Sequence, residues 1–439
     1  MLEPDVVVVG AGIAGLAAAT VLGEAGLDVL VVEQGPGLGG NILKQPNPGV
    51  KLPAAPRWRR KAWQRLTTKL ERAGSRITVR CGVRFAGLDY QGVGFISDIG
   101  SGKGSFVRPS AVVLATGAME RITPRPGWNL PGVLTVGAIQ TVLKSTGEPP
   151  AGNIVLAGSG PLLLAAGADL AKAGNPPAAI IETARPFAHP LQAARLPTSY
   201  IREAAVCMAV LLRASVPIHT ATRVDRIDGG ERRGGLVLSL AAASGREWKI
   251  ETDLIGLHDG LERNEYGILE TGDLVFRKAG DCREVLGARA AKVDGYRVGA
   301  EVRDTLRGDA QPDRPDRTID QHRRAQERLR AIYTDETKAE LASLPDETVL
   351  CRCENRALGA LRALADPTPR EARLLGRFAM GPCQGRFCAG PVSGLLGFDT
   401  AGGETLVANR WPVAPISIRS LVEAELPSST DSETESIHR

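Results

Sequence analysis

The stretch Val6–Glu33, VVVVGAGIAGLAAATVLGEAGLDVLVVE, constrains this 439-residue chain more than any other. Four consecutive valines suit a strand covered on both faces, where no polar alternation is expected. Gly10, Gly12 and Gly15 follow in the order G-x-G-x-x-G, ahead of a helical run, Leu16–Ala25, that Gly26 stops. A second apolar strand, Val29–Val32, ends on Glu33. Gly10 permits the tight turn, Gly12 lets backbone approach a pyrophosphate, and Gly15 lets helix lie close on strand. The helix N-terminus offers free N–H groups and partial positive charge to phosphates, and a carboxylate at Glu33 can accept from ribose hydroxyls. A bare Gly-rich turn would lack the second strand and the acidic end, so the stretch reads as a dinucleotide site.

A related unit begins at Asn153, NIVLAGSGPLLLAAGADLAKAG, followed by a strand, Ala178–Ile181, that ends on Glu182. Gly158 and Gly160 match the first two glycines, and Pro161 follows them. Leu163 stands where the third glycine belongs, so the helix is not expected to lie as close to its strand. A second binding site and a purely structural unit both fit this pattern. Between the units, 83–108 alternates apolar and polar residues with glycine turns and reads as an antiparallel insertion. Ala111–Gly117 reads as a buried strand, and Pro124, Pro126 and Pro131 mark a connector. Short strands fill 220–257, a strand spans Leu274–Asp281, and a helix covers about Ala288–Leu306. The chain thus divides into a first dinucleotide domain (1–120), a connector (121–150), a second dinucleotide domain (151–260) and a return to the first (261–306). A charged linker and helix (307–345), a cysteine-bearing domain with a C-terminal extension (346–426) and a disordered tail (427–439) complete it.

Seven cysteines in a long chain argue against a secreted disulfide framework. Cys81, Cys207 and Cys282 are scattered, whereas Cys351, Cys353, Cys383 and Cys388 form C-x-C, a 29-residue gap, and C-x4-C. Four thiolates at such spacings need a soft metal. Zinc pairs usually enclose two to four residues, so C-x-C suits zinc poorly. Iron–sulfur clusters accept more varied spacings, and Gly-rich flanks supply N–H groups to sulfur. A [2Fe–2S] cluster is the reading, with zinc and free thiols as alternatives.

These residues bear a family resemblance. The Gly10–Gly15 fingerprint with Glu33, Gly39-Gly40, Ala115-Thr116-Gly117 and Ala279-Gly280-Asp281 look like two-dinucleotide-domain flavoproteins. The stretches Arg121–Gln140, Gly158–Leu164 and Arg410–Ile418, with CRCE and GPCQGRFC, are similar to α subunits of multi-subunit amino-acid and opine dehydrogenases. Those include octopine and nopaline oxidases, proline and hydroxyproline dehydrogenases, and the middle subunit of hydrogen cyanide synthase. The cysteine segment resembles bacterioferritin-associated ferredoxin. The resemblance implies an α/β fold of two Rossmann-like domains plus a small helical [2Fe–2S] domain. FAD, or another adenine nucleotide, would lie on Gly10, Gly12, Gly15, Glu33, Gly39, Gly40, Val83, Thr116, Gly117, Gly280 and Asp281. NAD(P)H would use Gly158, Gly160, Pro161 and Glu182. Two departures count against that second nucleotide: Arg263 replaces the usual Pro before Asn264, and the segment from there to Asp281 is short. The implied partners are a glycine-oxidase-like flavoprotein β subunit, a small γ subunit, plus a downstream electron acceptor, with FMN held between the subunits.

Three features narrow the function classes. The net charge of +5 is small for this length and its cations are dispersed, so no nucleic-acid partner is implied. The densest basic run, Arg57–Arg65, reads as a solvated helix face, with an anionic partner or membrane surface as the sharper alternative. No stretch is apolar enough to span a membrane and the N-terminus enters a strand directly, which suggests a cytoplasmic chain with peripheral inner-membrane association as a variant. No CxxC lies in either dinucleotide unit, so a disulfide relay is excluded, and no residue stands out as acid or base. The leading expectation is an electron-transferring α subunit whose partner oxidises an amine. A stand-alone NAD(P)H-dependent flavin reductase and a non-catalytic scaffold are the rivals.

Overall fold

The structure, a computed structural model, describes all residues except 48, 51–56, 233, 266, 267, 269–273, 310–315, 335–340, 399–405, 408–410 and 425–439. The expected disordered tail and parts of the charged linker fall outside the described residues.

Strand β1 (Val6–Val9) runs into helix α1 (Ile13–Glu24), and β2 (Val29–Glu33) returns parallel to β1. Helix α2 (Arg57–Ala73) precedes β3 (Ile77–Cys81). It begins five residues earlier than the amphipathic stretch Ala62–Ala73 suggests, because arginines rather than apolar residues fill its first turns. The antiparallel insertion forms β4 (Val83–Leu88), β5 (Gly94–Asp98) and β6 (Gly104–Val107), and β7 (Ala111–Leu114) lies on the other side of β1. Strand β8 (Ala118–Glu120) then leaves the first unit.

The connector holds more structure than its prolines suggest. After Pro131 the chain forms β9 (Val133–Thr135) and helix α3 (Val136–Thr146). The Thr135 hydroxyl caps α3 by accepting from the Ala138 N–H, and Val136, Ile139 and Leu143 bury one face of it. The second unit comprises β10 (Ile154–Gly158), α4 (Pro161–Lys172), β11 (Ala179–Glu182), a short helix α5 (Pro190–Ala194), α6 (Thr198–Arg213) and β12 (Ile218–His219). A three-stranded meander follows, β13 (Thr222–Gly229), β14 (Leu236–Ala242) and β15 (Glu247–Thr252), and then β16 (Leu254–His258). Strand β17 (Leu261–Arg263) pairs with β8, and β18 (Val275–Lys278) closes the first sheet.

Two five-stranded parallel sheets result, ordered β18-β7-β1-β2-β3 and β12-β11-β10-β16-β9. In each, the first strand of a β-α-β unit sits centrally, so its carboxyl end faces the crevice where open α/β sheets bind ligands. Helix α7 (Ala288–Leu306) lies against α1 at glycine-limited distance. A Cβ on Gly295 would come 2.2 Å from the Ala14 carbonyl oxygen. Helix α8 (Arg317–Ile332) spans from the first unit toward the second.

The cysteine segment has its own core, formed by Leu350, Cys351, Leu358, Phe378, Cys388, Val392 and neighbours. Its elements are a ribbon of β19 (Val349–Cys351) and β20 (Arg356–Ala357) with helices α9 (Leu358–Arg362), α10 (Pro369–Leu374) and α11 (Ala389–Leu396). Among the described residues, no helix is long and apolar enough to cross a membrane.

Candidate functional site

In the first unit the glycines meet three separate demands. Gly10 turns at φ +105°, and a Cβ on Gly15 would lie 1.9 Å from the Gly10 carbonyl oxygen, so α1 can approach the loop only without a side chain there. A Cβ on Gly12 would meet nothing nearer than the Gly40 Cα at 4.0 Å, which leaves a bare strip of backbone at the start of α1. The Gly39 N–H donates to the Ala11 carbonyl at 2.8 Å and draws Gly39-Gly40 onto that strip. Glu33 is half-buried: its carboxylate accepts from the Ala11 N–H at 2.8 Å and the Gly35 N–H at 2.6 Å. Val83 is buried at the start of β4.

Thr116 and Gly117 follow β7. The Thr116 hydroxyl donates to the Asn264 carbonyl at 2.6 Å and lies 3.2 Å from the Cys282 sulfur. Gly280 is pinned by its N–H to Asp294 at 2.7 Å, between α1 and α7. Asp281 accepts from the Leu286 and Gly287 N–H groups, and burial pushes its carboxyl above the usual range despite those bonds. The structure thus brings Gly10, Gly12, Gly15, Glu33, Gly39, Gly40 and Gly280 together around the start of α1, where a strip of backbone is bare of side chains. A dinucleotide fits the donor set.

The second unit has the same architecture and different chemistry. Glu182 is 4% exposed and accepts from the Gly160 N–H at 3.0 Å and the Ala184 N–H at 2.9 Å. It therefore faces its own loop, where the sequence pattern predicts a ribose contact. Pro161 at the first turn of α4 carries no N–H. The Ser159 N–H donates to the His258 carbonyl and its hydroxyl donates to the Tyr333 carbonyl at 3.3 Å. Tyr333 ends α8 beside Glu182, and burial together with that carboxylate pushes its phenol well above the usual range. Leu163 is fully buried, filling the space that a third glycine would leave between α4 and its neighbours.

A cavity of about 1720 Å³ opens between the two units and the cysteine segment, with Ser159, His258, Arg289, Tyr333 and Phe387 among its walls. At its floor His258, 3% exposed at the end of β16, bonds through Nδ1 to Glu120 at 2.9 Å. A carboxylate only accepts, so Nδ1 carries the proton and Nε2 is turned toward Gly160. Glu120 also accepts from the Gly137 N–H at 2.8 Å, and Arg125 pairs with Asp259 at 2.5 Å alongside. The sequence reading missed this group. A histidine at the carboxyl end of a strand was the available signal for His258, but Glu120 lies 138 positions away.

The four clustered cysteines form two pairs: Cys351 in hydrogen-bond contact with Cys388, and Cys353 with Cys383. The bond with Cys388, helped by N–H groups of Glu354, Ala379 and Cys353, draws the Cys351 thiol down to about 6, while its partner Cys388 is pushed up. Burial lifts Cys353 to about 11. Among the described residues no three ligating side chains converge on one metal-ion position. Of seven non-glycine residues with positive φ among those described, five (Asn355, Asp366, Arg377, Ala379 and Gln384) fall in this segment, so backbone strain concentrates around the thiols.

The segment is anchored to the connector and to the loop that follows β17. The Trp128 indole donates to the Val349 carbonyl at 2.5 Å and carries the Arg352 guanidinium over its ring at 5.1 Å. Arg386 donates to the Cys383 carbonyl at 2.9 Å and to the Asn264 side chain at 3.2 Å, and Asn264 in turn donates to the Thr116 carbonyl at 3.2 Å.

Known proteins are similar to this chain. Residues 4–282 match the family described as pyridine nucleotide-disulphide oxidoreductase. An opine oxidase subunit of Agrobacterium tumefaciens is 32% identical across 94% of this chain and 88% of its own length. Hydrogen cyanide synthase subunit HcnB of Pseudomonas aeruginosa is 27% identical across 93% and 96%. The crystal structure of L-proline dehydrogenase from P. horikoshii has the same fold, with a TM-score of 0.62 at 19% identity over 96% of this chain and 79% of that one. With a matched family model over more than half its length and the opine oxidase component as a near full-length relative, this chain belongs to the pyridine nucleotide-disulphide oxidoreductase family and is an oxidoreductase subunit.

Proposed function

We propose that the chain is the electron-transferring α subunit of a heteromeric flavin dehydrogenase or oxidase. Its partner, a glycine-oxidase-like flavoprotein β subunit, would oxidise an amino acid, opine or related amine. FAD, or another adenine nucleotide, would lie on the first unit, held by Gly10, Gly12, Gly15, Glu33, Gly39, Gly40, Thr116, Gly117, Gly280 and Asp281. Cys351, Cys353, Cys383 and Cys388 would hold a [2Fe–2S] cluster. Two thiol pairs suit a binuclear centre, which takes two ligands per iron, better than a single tetrahedral ion, which needs all four at one point. When bound, the flavin and the cluster carry electrons and FMN at the subunit interface would link them to the partner.

The observation that carries the reading is the chain Cys383–Arg386–Asn264–Thr116. It fixes the cysteine loop against the turn where the first unit would hold its flavin. The second unit argues against NAD(P)H as the electron source, because its loop donors are engaged by Glu182, His258 and Tyr333.

The test is to purify the chain with its partner and follow iron and sulfide content and the paramagnetic resonance signal during turnover. The expected result is a cluster signal that Cys383→Ser abolishes while bound flavin is retained. Bleaching of flavin in the isolated chain on adding NADH or NADPH would transfer the reading to a stand-alone reductase. Lack of iron and sulfide in the complex would overturn the cluster.

A further inference from the structure

Helix α2 carries seven cations and one carboxylate, Glu71, over Arg57–Ala73. Neither the fold nor the proposed electron transfer uses that charge. Three of its cations, Arg65, Lys69 and Arg72, are spaced i, i+4, i+7 and therefore share one face. That face borders a cleft of about 480 Å³ whose other wall is α7, where Lys292 and Tyr296 stand one turn apart. Lys69 places its ammonium 4.5 Å from the Tyr296 ring centre, and Gln64 and Thr68 add neutral donors.

None of the Arg65, Lys69, Arg72 and Lys292 side chains has a hydrogen-bond or ion-pair partner among the described residues. Further along α7 two cations are paired, Arg297 with Asp294 and Glu301 and Arg303 with Asp304, while Arg289 lies over the Trp58 ring at 5.2 Å. Glu24 is close enough to act on the Tyr296 phenol, and Glu71 is the one carboxylate in the sequence of α2. Lys292 is half-buried, and burial together with the Arg65 and Arg289 charges holds its amine below the usual range. Like charges at helical spacing repel, and a half-buried lysine without a carboxylate has no local stabilisation. A multivalent anion would relieve both.

We infer that the cleft between α2 and α7 binds a phosphorylated anion of two or more negative charges, held by Arg65, Lys69, Arg72 and Lys292. The volume suits a nucleotide-sized group. Four convergent donors that cannot be satisfied by one another are matched by the several oxygens of a polyphosphate or phosphate-ester headgroup. The site is separate from the glycine loop of the first unit: Lys292 and Tyr296 lie in the N-terminal half of α7, and none of the residues lining the cleft belongs to that loop. Free polyphosphate and an anionic lipid headgroup share this chemistry.

The experiment uses the full chain at low ionic strength with two probes. One is inorganic tripolyphosphate, followed by calorimetry. The other is vesicles of phosphatidylglycerol mixed with phosphatidylcholine, followed by sedimentation against phosphatidylcholine alone. The double variant Lys69→Gln/Lys292→Gln is compared with wild type and with Arg213→Gln, which removes a cation on α6. The thermal midpoint of each variant reports that it is folded. We expect the double variant to weaken binding by about ten-fold per cation removed, with Arg213→Gln unchanged. Loss of tripolyphosphate binding assigns a free ligand; loss of vesicle binding alone assigns a headgroup. Binding that is equal in wild type and double variant, or absent with both probes, overturns the inference.

Discussion

The two Rossmann units are built on the same plan and end in different chemical states. In both, a central strand runs into a glycine loop and helix, and an acidic residue closes the next strand and turns back onto the loop. Glu33 takes the Ala11 N–H and leaves Gly12 facing open space across from Gly40. Glu182 takes the Gly160 N–H, one residue further along its loop, and sits fully buried. Pro161 removes a second donor, and Tyr333 covers Ser159. The difference teaches that the fingerprint glycines specify how strand, loop and helix fit together, while binding depends on which loop donors remain unengaged. A β-α-β unit can keep the first property and lose the second.

The sharpest way to break the comparison is to give the first unit the residue found in the second. Gly15→Leu would place a Cβ 1.9 Å from the Gly10 carbonyl oxygen. We expect that variant to lose bound nucleotide and most of its folded population, measured by absorbance of the purified protein and by thermal midpoint. The reciprocal change, Leu163→Ala, removes a fully buried side chain and should cost about 2–5 kcal/mol while leaving first-unit nucleotide in place. Equal behaviour of the two variants would mean that position three has the same role in both units.

A smaller effect separates the two acidic residues. Glu182→Gln weakens two buried charge-assisted bonds and should lower stability by about 1–3 kcal/mol without altering nucleotide content. Glu33→Gln, at a half-buried site open to a ligand, should lower nucleotide retention more than it lowers the midpoint of urea unfolding. If Glu182→Gln instead changed nucleotide content, the second unit would be the occupied one.

Tyr333→Ala tests whether the cover alone closes the second unit. Pro161, the buried Glu182 and the main-chain carbonyl that accepts from Ser159 all remain in that variant, so we expect no gain of NADH or NADPH binding, and a loss of about 1 kcal/mol as the end of α8 loses its half-buried ring. Saturable NADPH quenching of tryptophan fluorescence, present in the variant and absent in wild type, would show that the cover is a removable one.

Much of this is legible in the sequence alone. Val6–Val9, the Gly10–Gly15 loop and Glu33 form one contiguous pattern whose spacing is set by local geometry, and the first sheet follows from it. The antiparallel insertion at β4–β6 was equally local. The helix α3 was hidden by the prolines before it, although Val136, Ile139 and Leu143 carry its period. What could not be read were pairings across long separations. Tyr333 lies 174 positions from Ser159, and Arg386 lies 122 from Asn264. The Gly-rich loop of the second unit announced a donor array, yet its partners come from β16, β11 and α8, and no local spacing encodes their arrival.

The smallest effect concerns the contact by which one unit steadies the other. Lys144, on connector helix α3 packed against the second unit, donates to the Asn41 carbonyl at 2.9 Å, next to Gly39-Gly40 of the first. Burial, with the Arg59 and Lys44 charges, holds its amine at about 8, below the ordinary 10.5. A lysine whose pKa is lowered in the folded state is charged at a cost below pH 8, and the unfolded chain binds more protons between pH 8 and 10.5. Stability therefore rises with pH across that window, by less than about 1 kcal/mol per pH unit for a partly exposed group. Lys144→Met should flatten that rise, seen as urea midpoints that converge with wild type or fall behind it as pH goes from about 7 to about 10. Parallel midpoints at every pH would mean that the amine is solvated and that the two units are held together without it.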